Sequence, residues 1–390
     1  MDIAIAGAGI GGLAAALALA RRGFAVEIYE RAATLEEAGA GIQLTPNALN
    51  VLFGLGLAAA LEAHMVRLEA VRIRKGATGA LIQELPLDAC PARWGAPYGV
   101  IHRADLQAVL VEAVRRHGIP LKLGREIRTA RQDGQQVTLS FAGTDPDVSA
   151  RMLIGADGLW SKLRLQLGLE PPRFAGRRAW RAVIPMQDAP ALFQGLKTGL
   201  WLGGNAHFVH YPVRSGQALN LVAVTHDVDA GPGWSAPQPL AALLPHYAGW
   251  DGRLRALLAT VPQWRTWPLF EGRADNRIAT GRIALIGDAA HPMLPFIAQG
   301  GAAAIEDAAE LAAQLSGADD NDVPARMQEW SRLRLPRVRR IQAEAHSNGE
   351  RYHWRWPLAS ARDLGLSALG GRRLLERYDW LYGWKPTETT

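Results

Sequence analysis

The chain has 390 residues, of which 48% are hydrophobic, and it carries a formal net charge of +6. This length and composition allow a substantial buried core and predict two or three domains. The single cysteine, Cys90, excludes an internal disulfide and an intramolecular dithiol redox centre, which favours a reducing compartment and a cytoplasmic location. No Cys/His spacing typical of a zinc site occurs in the sequence, and we predict no metal site.

The densest positive charge lies between Arg326 and Arg355, where arginines alternate with glutamates over a helical pattern. Such alternation is typical of a solvated helix face, and a nucleic-acid or membrane surface is the less favoured interpretation. We therefore expect no nucleic-acid partner.

The first thirty residues have the pattern of a dinucleotide-binding unit. An apolar strand at residues 2–6 leads into Gly7-Ala-Gly9-Ile-Gly11-Gly12, which contains the pattern G-x-G-x-x-G. A helix-forming segment and a second strand at residues 25–29 follow, and the strand ends at Glu30. The first glycine permits a tight turn, the second admits a pyrophosphate, and the third lets the helix pack on the strand. Glu30 lies near the spacing of about 20 residues expected for an acid that binds a ribose hydroxyl.

A membrane-spanning helix is the rival interpretation of the same region, because residues 3–20 form an uncharged run. Several glycines fall within six positions of this run, Asp2 replaces a basic leader, and no cleavage-site pattern follows. We therefore predict a buried strand and helix, with no stable membrane insertion.

Strand and helix patterns alternate through the rest of the chain. Strand-like alternation occupies residues 66–75, a helix begins at Arg103, and an apolar segment at 150–154 leads into Gly155-Ala-Asp157-Gly158. From residue 177 to 226 the pattern changes to strands separated by turns, which indicates an antiparallel sheet inserted between halves of the nucleotide-binding domain.

The predicted fold class is therefore α/β, with a Rossmann-type domain interleaved with an antiparallel β-sheet substrate domain and followed by C-terminal helices. The predicted boundaries are 1–175 for the nucleotide-binding domain (with part of the substrate region at 66–100), 176–270 for the sheet domain, 271–320 for the return to the nucleotide-binding domain and 321–390 for the C-terminal helical region.

A third segment with chemical character runs from Gly287 to Gly301. It follows an apolar strand pattern at residues 283–286 and contains Asp288, which at a strand end can accept sugar hydroxyls. Gly300 and Gly301 begin a helical pattern, where bare amides and the positive end of the helix dipole can meet a flat ligand. A proline-rich loop without a ligand is the alternative interpretation.

These three segments resemble the three fingerprints of the single-component flavin monooxygenases, the FAD-dependent aromatic hydroxylases of the p-hydroxybenzoate hydroxylase and salicylate hydroxylase type. The resemblance covers nearly the whole chain and implies non-covalent FAD, NADH or NADPH as co-substrate, and O2. It also implies hydroxylation of a small aromatic substrate through a C4a-hydroperoxyflavin. No second framed G-x-G-x-x-G is present, so we expect NAD(P)H to bind transiently without a domain of its own.

The resemblance further implies which residues hold the cofactor. The segment around Gly7 would bind the ADP half, the Asp157 motif would serve both FAD and the nicotinamide cofactor, and the loop after residue 286 would lie beneath the flavin, with Pro295 against its reacting face. The implied cofactor residues are Gly7, Gly9, Gly11, Gly12, Glu30, Arg31, Arg103, Asp157, Gly158, Arg164, Gly287, Asp288, Gly300 and Gly301.

The substrate residues are sought on the strand that contains His207-Phe-Val-His210-Tyr211. Strand alternation places His207 and Tyr211 on one face and His210 on the other. In the salicylate- and hydroxynicotinate-hydroxylase branch, a His and a Tyr at this spacing line the substrate pocket. His207 is therefore a candidate base for a phenol. A structural histidine in a half-buried sheet is the alternative.

Other polar residues complete the predicted substrate site. Gln299 is expected to hydrogen-bond the substrate, and Arg181 or Arg214 could meet a carboxylate. Gln43 and Phe296 stand where hydroxynicotinate hydroxylases carry histidines, which predicts a less polar pocket. Ala182 replaces a tryptophan of the flavin-halogenase signature, which argues against halogenation.

Two other functions stay open at this point. One is a flavin-dependent hydroxylase or epoxidase of a larger natural product, with Trp201, Phe208 and Trp267 lining an apolar cleft. The other is a flavin-binding regulator without oxygenase activity. The sequence also allows a homodimer.

Overall fold

The computed structural model describes residues 1–35, 40–231, 234–273 and 277–387. The strands in chain order are β1 (Ile3–Ala6), β2 (Val26–Tyr29), β3 (Gly41–Leu44), β4 (Val66–Arg67), β5 (Ala70–Lys75), β6 (Leu81–Pro86), β7 (Gly99–His102), β8 (Leu121–Lys122), β9 (Ile127–Gln132), β10 (Val137–Phe141), β11 (Val148–Ala150), β12 (Met152–Gly155), β13 (Arg173–Pro185), β14 (Lys197–Leu202), β15 (Ala206–Val213), β16 (Ala218–His226), β17 (Ala236–Gln238), β18 (Trp264–Glu271), β19 (Ala279–Thr280) and β20 (Ile283–Leu285).

The helices in chain order are α1 (Ile10–Ala20), α2 (Pro46–Gly54), α3 (Ala58–Glu62), α4 (Cys90–Trp94), α5 (Arg103–Arg116), α6 (Lys162–Gln166), α7 (Leu240–Leu243), α8 (Gly252–Ala259), α9 (Gly300–Leu315), α10 (Val323–Tyr352), α11 (Leu358–Leu369), α12 (Gly371–Glu376) and α13 (Asp379–Tyr382). None of the helices within the described ranges is both long and apolar enough to cross a membrane. The uncharged run at residues 3–20 forms β1 and α1, as predicted.

The nucleotide-binding sheet has the strand order β19–β20–β12–β1–β2–β8. Its strands pair in parallel except at the edge, where β19 is antiparallel to β20. β1 and β12 are buried along their whole length, as parallel strands inside an α/β domain usually are. Because β1, β12 and β20 are parallel, their carboxyl ends lie at one edge of the sheet. This edge brings the three fingerprint segments together.

The larger sheet has the order β17–β18–β13–β16–β15–β14–β5–β6. It is antiparallel apart from the β14–β5 pair, which is parallel. β5 and β6 thus join the sheet formed mainly by residues 173–271, and the predicted interleaved α/β fold is confirmed. The exact domain boundaries stay a prediction. Two smaller sheets, β11–β10–β9 and β3–β7–β4, complete the described strands.

One face of the larger sheet is closed by a hydrophobic core that includes α7 and α8. Trp201 and Phe208 are fully buried in this core. The expectation that they line an open cleft is therefore wrong, because they point to the covered side of the sheet. Trp267 lies on the opposite face, where it contacts the guanidinium of Arg181.

A buried ionic cluster joins α9 to α10. Glu306 and Asp307 on α9 have no exposed side-chain surface. Arg334 binds both carboxylates, at 2.9 Å from Nε to Asp307 Oδ1 and 3.0 Å from an NH2 nitrogen to Glu306 Oε2. Arg337 makes two further bonds to Glu306 at 2.6 and 2.7 Å. The interpretation of residues 326–355 as a solvated face is wrong for these two arginines, because carboxylates on α9 draw them inward.

The ionic cluster generates a stability prediction for Asp307→Asn. The charges of His291 and Arg334 and two hydrogen bonds outweigh the desolvation of Asp307 and lower the pKa of its carboxyl from 3.8 to about 2. Removal of one partner from a buried ion pair costs about 3–5 kcal/mol, so we expect the free energy of unfolding in urea to fall by that amount at neutral pH.

The pH dependence follows from the lowered pKa of Asp307. The stabilising contribution is present above pH 3.8 and is lost as the pH falls towards about 2, so the difference between wild type and variant should shrink over that interval. Glu329→Gln is the control, because Glu329 forms an exposed pair with Arg332 on α10 and should leave the unfolding midpoint unchanged. Equal effects of the two substitutions on the unfolding midpoint would contradict the stabilising role of the buried Asp307 carboxylate.

Candidate active site

The glycine-rich turn between β1 and α1 is built as its spacing predicts. A Cβ atom on Gly12 would lie 2.0 Å from the carbonyl oxygen of Gly7, so only glycine allows this close approach of helix and turn. Gly7 has φ +105° and faces the Ala156 carbonyl. By contrast, a Cβ on Gly9 would meet no atom within 4 Å. The turn therefore leaves open space at the position where a pyrophosphate is expected.

A pocket of about 190 Å³ opens beside this turn. Glu30 fixes its edge, because one carboxylate oxygen accepts a hydrogen bond from the amide of Ala8 at 2.7 Å and the other from Ala32 at 2.9 Å. Of the residues predicted from the sequence, Gly7, Gly9, Glu30, Arg31, Asp157 and Gly158 line this pocket. Arg125, Trp160 and Lys162 also line it and were not predicted. Trp160 and Lys162 lie between Gly158 and Arg164 of the second fingerprint, whereas Arg125 lies in a loop before β9 that carries no motif.

Asp157 connects the pocket to α6. Its Oδ2 accepts a hydrogen bond from the amide of Lys162 at 3.0 Å, whereas its buried Oδ1 has no hydrogen-bond partner within the described ranges. Burial raises the pKa of this carboxyl although the amides that it binds lower it. Arg164 is itself buried, and its guanidinium donates to the carbonyls of Ala290 at 2.7 Å and Ala289 at 3.2 Å. This places Arg164 as a link between the second and third fingerprints.

The third fingerprint is held from below by α9. The amide of Gly287 donates to Asp307 Oδ2 at 2.9 Å, and the same oxygen lies 2.5 Å from His291 Nε2. Asp288, the next residue, keeps part of its surface exposed. Surrounding atoms desolvate its carboxyl and raise its pKa, which the charges of His291 and Arg103 oppose. Arg103 is exposed at the start of α5, and its charge acts on Asp288.

The start of α9 offers free amides to a ligand. Pro295 is exposed in the preceding turn, and a Cβ on Gly300 would meet nothing within 4 Å. Gly301, in contrast, packs against Ile42, 2.8 Å from its would-be Cβ. Gln299 is fully buried, donates to Thr45 Oγ1 at 3.1 Å and accepts from Asn47 at 3.0 Å. The structure thus places Gln299 behind the turn, where it fixes the position of the glycines.

The uncovered face of the larger sheet carries the candidate substrate residues. Val222 on β16 lies opposite Val209 on β15 and opposite Arg181 on β13, so Arg181 shares the face of His207 and Tyr211. His210 contacts Phe193 on the other face, as the alternation predicts. Arg214 is exposed in the turn after β15, with φ +52°. Arg181 and Arg214 are therefore separated, and only Arg181 lies on the candidate substrate face.

His207 and Tyr211 have different surroundings on this face. The ring of His207 lies 5.1 Å from that of Phe296, directly after Pro295, and its Nδ1 is 2.8 Å from His353 Nε2. Burial and the charge of Arg177 lower the pKa of His207 from 6.5 to about 3. The Tyr211 hydroxyl donates to the carbonyl of Gly41 at 2.7 Å.

Comparison with known proteins identifies the family. An FAD binding domain model matches residues 1–345. The 3-amino-4-hydroxybenzoate 2-monooxygenase PtmB3 of Streptomyces platensis is 37% identical, over 98% of this chain and 96% of that protein. The chain belongs to the FAD-dependent aromatic hydroxylases. The 3-hydroxybenzoate 6-hydroxylase of Polaromonas naphthalenivorans is 32% identical, over 98% of this hydroxylase and 96% of the relative.

A solved structure of Klebsiella pneumoniae HpxO with FAD and uric acid matches this hydroxylase with a TM-score of 0.87 and 27% identity. The match covers 98% of this chain and 96% of that one. The hydroxylase is an FAD-dependent monooxygenase that uses NAD(P)H and O2 to hydroxylate an aromatic substrate. The alternative of a flavin-binding regulator without oxygenase activity is thereby set aside.

The described residues of the hydroxylase fit FAD. The open space at Gly9, the unpartnered oxygen of Asp157 and the bare start of α9 lie along one edge of the nucleotide-binding sheet. Bound FAD supplies hydride acceptance from NAD(P)H and activation of O2. The chain contributes the N-terminus of α9, whose amides and dipole stabilise negative charge on a ligand placed there. The individual roles of the cofactor residues stay predictions.

Two glycine substitutions separate cofactor binding from folding. Gly9→Val should leave the melting temperature of the apoprotein nearly unchanged, because the new side chain enters open space. It should weaken FAD binding at least about tenfold, or about 1.4 kcal/mol, because it occupies the pyrophosphate position. Fluorescence titration of apoprotein with FAD measures the affinity.

Gly12→Ala is the matched comparison, since its Cβ would overlap the Gly7 carbonyl and should destabilise the apoprotein itself. A Gly9→Val variant with wild-type FAD affinity would refute the pyrophosphate position.

Proposed function

We propose that this hydroxylase acts on a small hydroxybenzoate, a benzoic acid that carries at least one ring hydroxyl. The observation that carries the proposal is Arg181, a cation that has no counter-ion among the described residues and lies on the face that also carries His207 and Tyr211. The benzoate names of the two relatives support the same substrate class.

The positive charge of Arg181 is poorly compensated by its neighbours. Its Nε is buried without a hydrogen-bond partner within the described ranges, and its guanidinium lies 5.3 Å from the centre of the Trp267 ring. Burial lowers the pKa of Arg181, the nearby Arg103 lowers it further, and Tyr211 opposes them. A buried guanidinium is costly unless an anion pairs with it. A substrate carboxylate would supply that charge with two parallel hydrogen bonds.

The remaining predicted substrate residues take complementary roles in the proposal. His207 would contact an oxygen of the substrate from the same face. Tyr211, whose hydroxyl hydrogen is engaged by Gly41, would accept a hydrogen bond or pack against the ring. Pro295 would bound the reacting side of the pocket, and Gln299 would act through the turn that it supports.

The substrate class is tested with the purified holoenzyme. Salicylate, 3- and 4-hydroxybenzoate, 3-amino-4-hydroxybenzoate and phenol are compared for stimulated NAD(P)H oxidation and for hydroxylated product by chromatography. The proposal predicts product from at least one hydroxybenzoate and little stimulation by phenol, which lacks the carboxylate. A phenol that is hydroxylated as efficiently as every benzoate would overturn it.

Arg181→Met should raise the KM for the hydroxybenzoate by about 10- to 100-fold, because hydrogen bonds to charged groups contribute about 1.5–3 kcal/mol. The weak stimulation of NAD(P)H oxidation by phenol should change little, because phenol has no carboxylate to lose its partner. Arg214→Met is the matched control, since it removes the same charge from an exposed turn. Steady-state kinetics on both substrates decide the point, and equal effects of the two variants would exclude carboxylate binding by Arg181.

The proposal includes a cytoplasmic location, inferred from the single cysteine, and a homodimer, which the sequence allows. Cys90 is a buried free thiol whose pKa is raised to about 12 by burial, which suits a reducing compartment but does not require one. Light scattering on the purified protein measures the oligomeric state, and a monomer mass at micromolar concentration would contradict the dimer.

A further inference from the structure

A chain of hydrogen bonds leads from His207 towards the surface. His207 Nδ1 lies 2.8 Å from His353 Nε2, and His353 Nδ1 is hydrogen-bonded to an NH1 nitrogen of Arg177. Arg177 in turn binds Glu350 Oε1 at 2.8 Å and His226 Nε2 at 3.3 Å. His207, His353 and Arg177 are all buried, whereas most of the Glu350 side chain is exposed.

The chemistry of these groups fixes the direction of every hydrogen bond. A guanidinium only donates, so His353 must accept through Nδ1. Because that Nδ1 accepts, it carries no proton and His353 is neutral, and burial and the charge of Arg177 lower its pKa in the same sense. A neutral imidazole has one proton, and His353 must carry it on Nε2 and donate it to His207 Nδ1.

The same rule then applies to His207. Its Nδ1 accepts from His353, so the single proton of neutral His207 lies on Nε2. This nitrogen makes no hydrogen bond to the residues that the structure describes, while the ring is flanked by Phe296 and Tyr352. His207 thus presents an N–H group on the face that carries Arg181 and Tyr211.

We propose that Arg177 and His353 hold His207 as a hydrogen-bond donor to an anionic oxygen of the aromatic substrate, so that His207 does not act as the base. The proposal rests on the proposed function for the place of the substrate. It replaces the expectation from the sequence that His207 takes the phenol proton. Arg177 and His353 are positioning residues, because they act through His207.

The row of hydrogen bonds from His207 through His353 to Arg177 also cannot carry a proton outwards. A proton that arrived at His207 Nε2 could leave only through Nδ1, where the N–H group of His353 already points. Beyond His353 stands Arg177, which has no lone pair to accept a proton. A phenol proton must therefore leave to solvent, directly or through another group. The acceptor at His207 is either the phenolate or the carboxylate oxygen.

Nuclear magnetic resonance of isotope-labelled imidazole nitrogens tests the tautomer in the oxidised holoenzyme. The His207 signals are assigned by their loss in His207→Gln. We expect a protonated Nε2 and an unprotonated Nδ1 that stay unchanged between about pH 5 and 8, where an ordinary histidine titrates. A proton on Nδ1, or titration in this range, would overturn the proposal.

Substitution at Arg177 tests what fixes the tautomer. Arg177→Met frees His353 Nδ1, so the His207 signals should show both tautomers or a new pH dependence. Arg355→Met is the control, because Arg355 is an exposed arginine close to His353 that binds Gly204 and Asn205 instead. If Arg177→Met does not fold, His353→Gln keeps an acceptor for Arg177 and a donor for His207, and it should preserve the tautomer. Loss of the Nε2 proton in that folded variant would contradict the account.

Substrate titration separates this inference from the proposed function. A hydroxybenzoate that is hydroxylated should shift the His207 Nε2–H signal on binding. If such a substrate forms product but leaves the signal unmoved, donation by His207 is refuted while the proposed substrate class stands. Benzoate and phenol identify which substrate oxygen accepts the hydrogen bond from His207. Benzoate should move the signal if the acceptor is the carboxylate, and phenol should move it if the acceptor is the phenolate. If no hydroxybenzoate is hydroxylated but the tautomer is as expected, the proposed substrate class fails, whereas the positioning by Arg177 and His353 stands.

Discussion

The carboxylate of Asp307 is the contact on which the arrangement of the active site depends. It accepts a hydrogen bond from the amide of Gly287 at the end of the nucleotide-binding sheet and also binds His291 and Arg334. One buried side chain therefore connects the third fingerprint, α9 and α10. Its ionisation is maintained by its cationic neighbours, because an unpaired carboxylate at this depth would take up a proton. The start of α9 and the turn before it are positioned from this point.

The distribution of charge differs between the two sides of the site. Below the turn, Glu306 and Asp307 form ion pairs with Arg334 and Arg337, so the negative charge of the two carboxylates is neutralised. On the sheet face above, Arg181 has no carboxylate partner among the described residues. An aromatic acid would complete this side electrostatically, and an uncharged ring would not. In the proposed complex, the negative charge of the substrate would also be stabilised by the N–H group that His207 donates.

Much of the cofactor site could be predicted from the sequence because its signals are local. Gly7, Gly9 and Gly12 lie in one turn whose geometry demands their spacing, and the alternation on β15 placed His207 and Tyr211 together. His353 and Arg177 could not be predicted, because they reach His207 from the end of α10 and from β13. The burial of Trp201 and Phe208 was missed for a related reason, since alternation separates two faces but does not say which one is covered.

We propose above that this hydroxylase transfers one oxygen atom from O2 to the ring of a hydroxybenzoate. The most direct measurement is a reaction of the holoenzyme with isotopically labelled O2, in which NAD(P)H consumption and label in the product are both quantified by mass spectrometry. We expect one labelled oxygen in the product for each NAD(P)H consumed in productive turnover. NAD(P)H oxidation that yields only hydrogen peroxide, with no labelled product from any hydroxybenzoate, would contradict it.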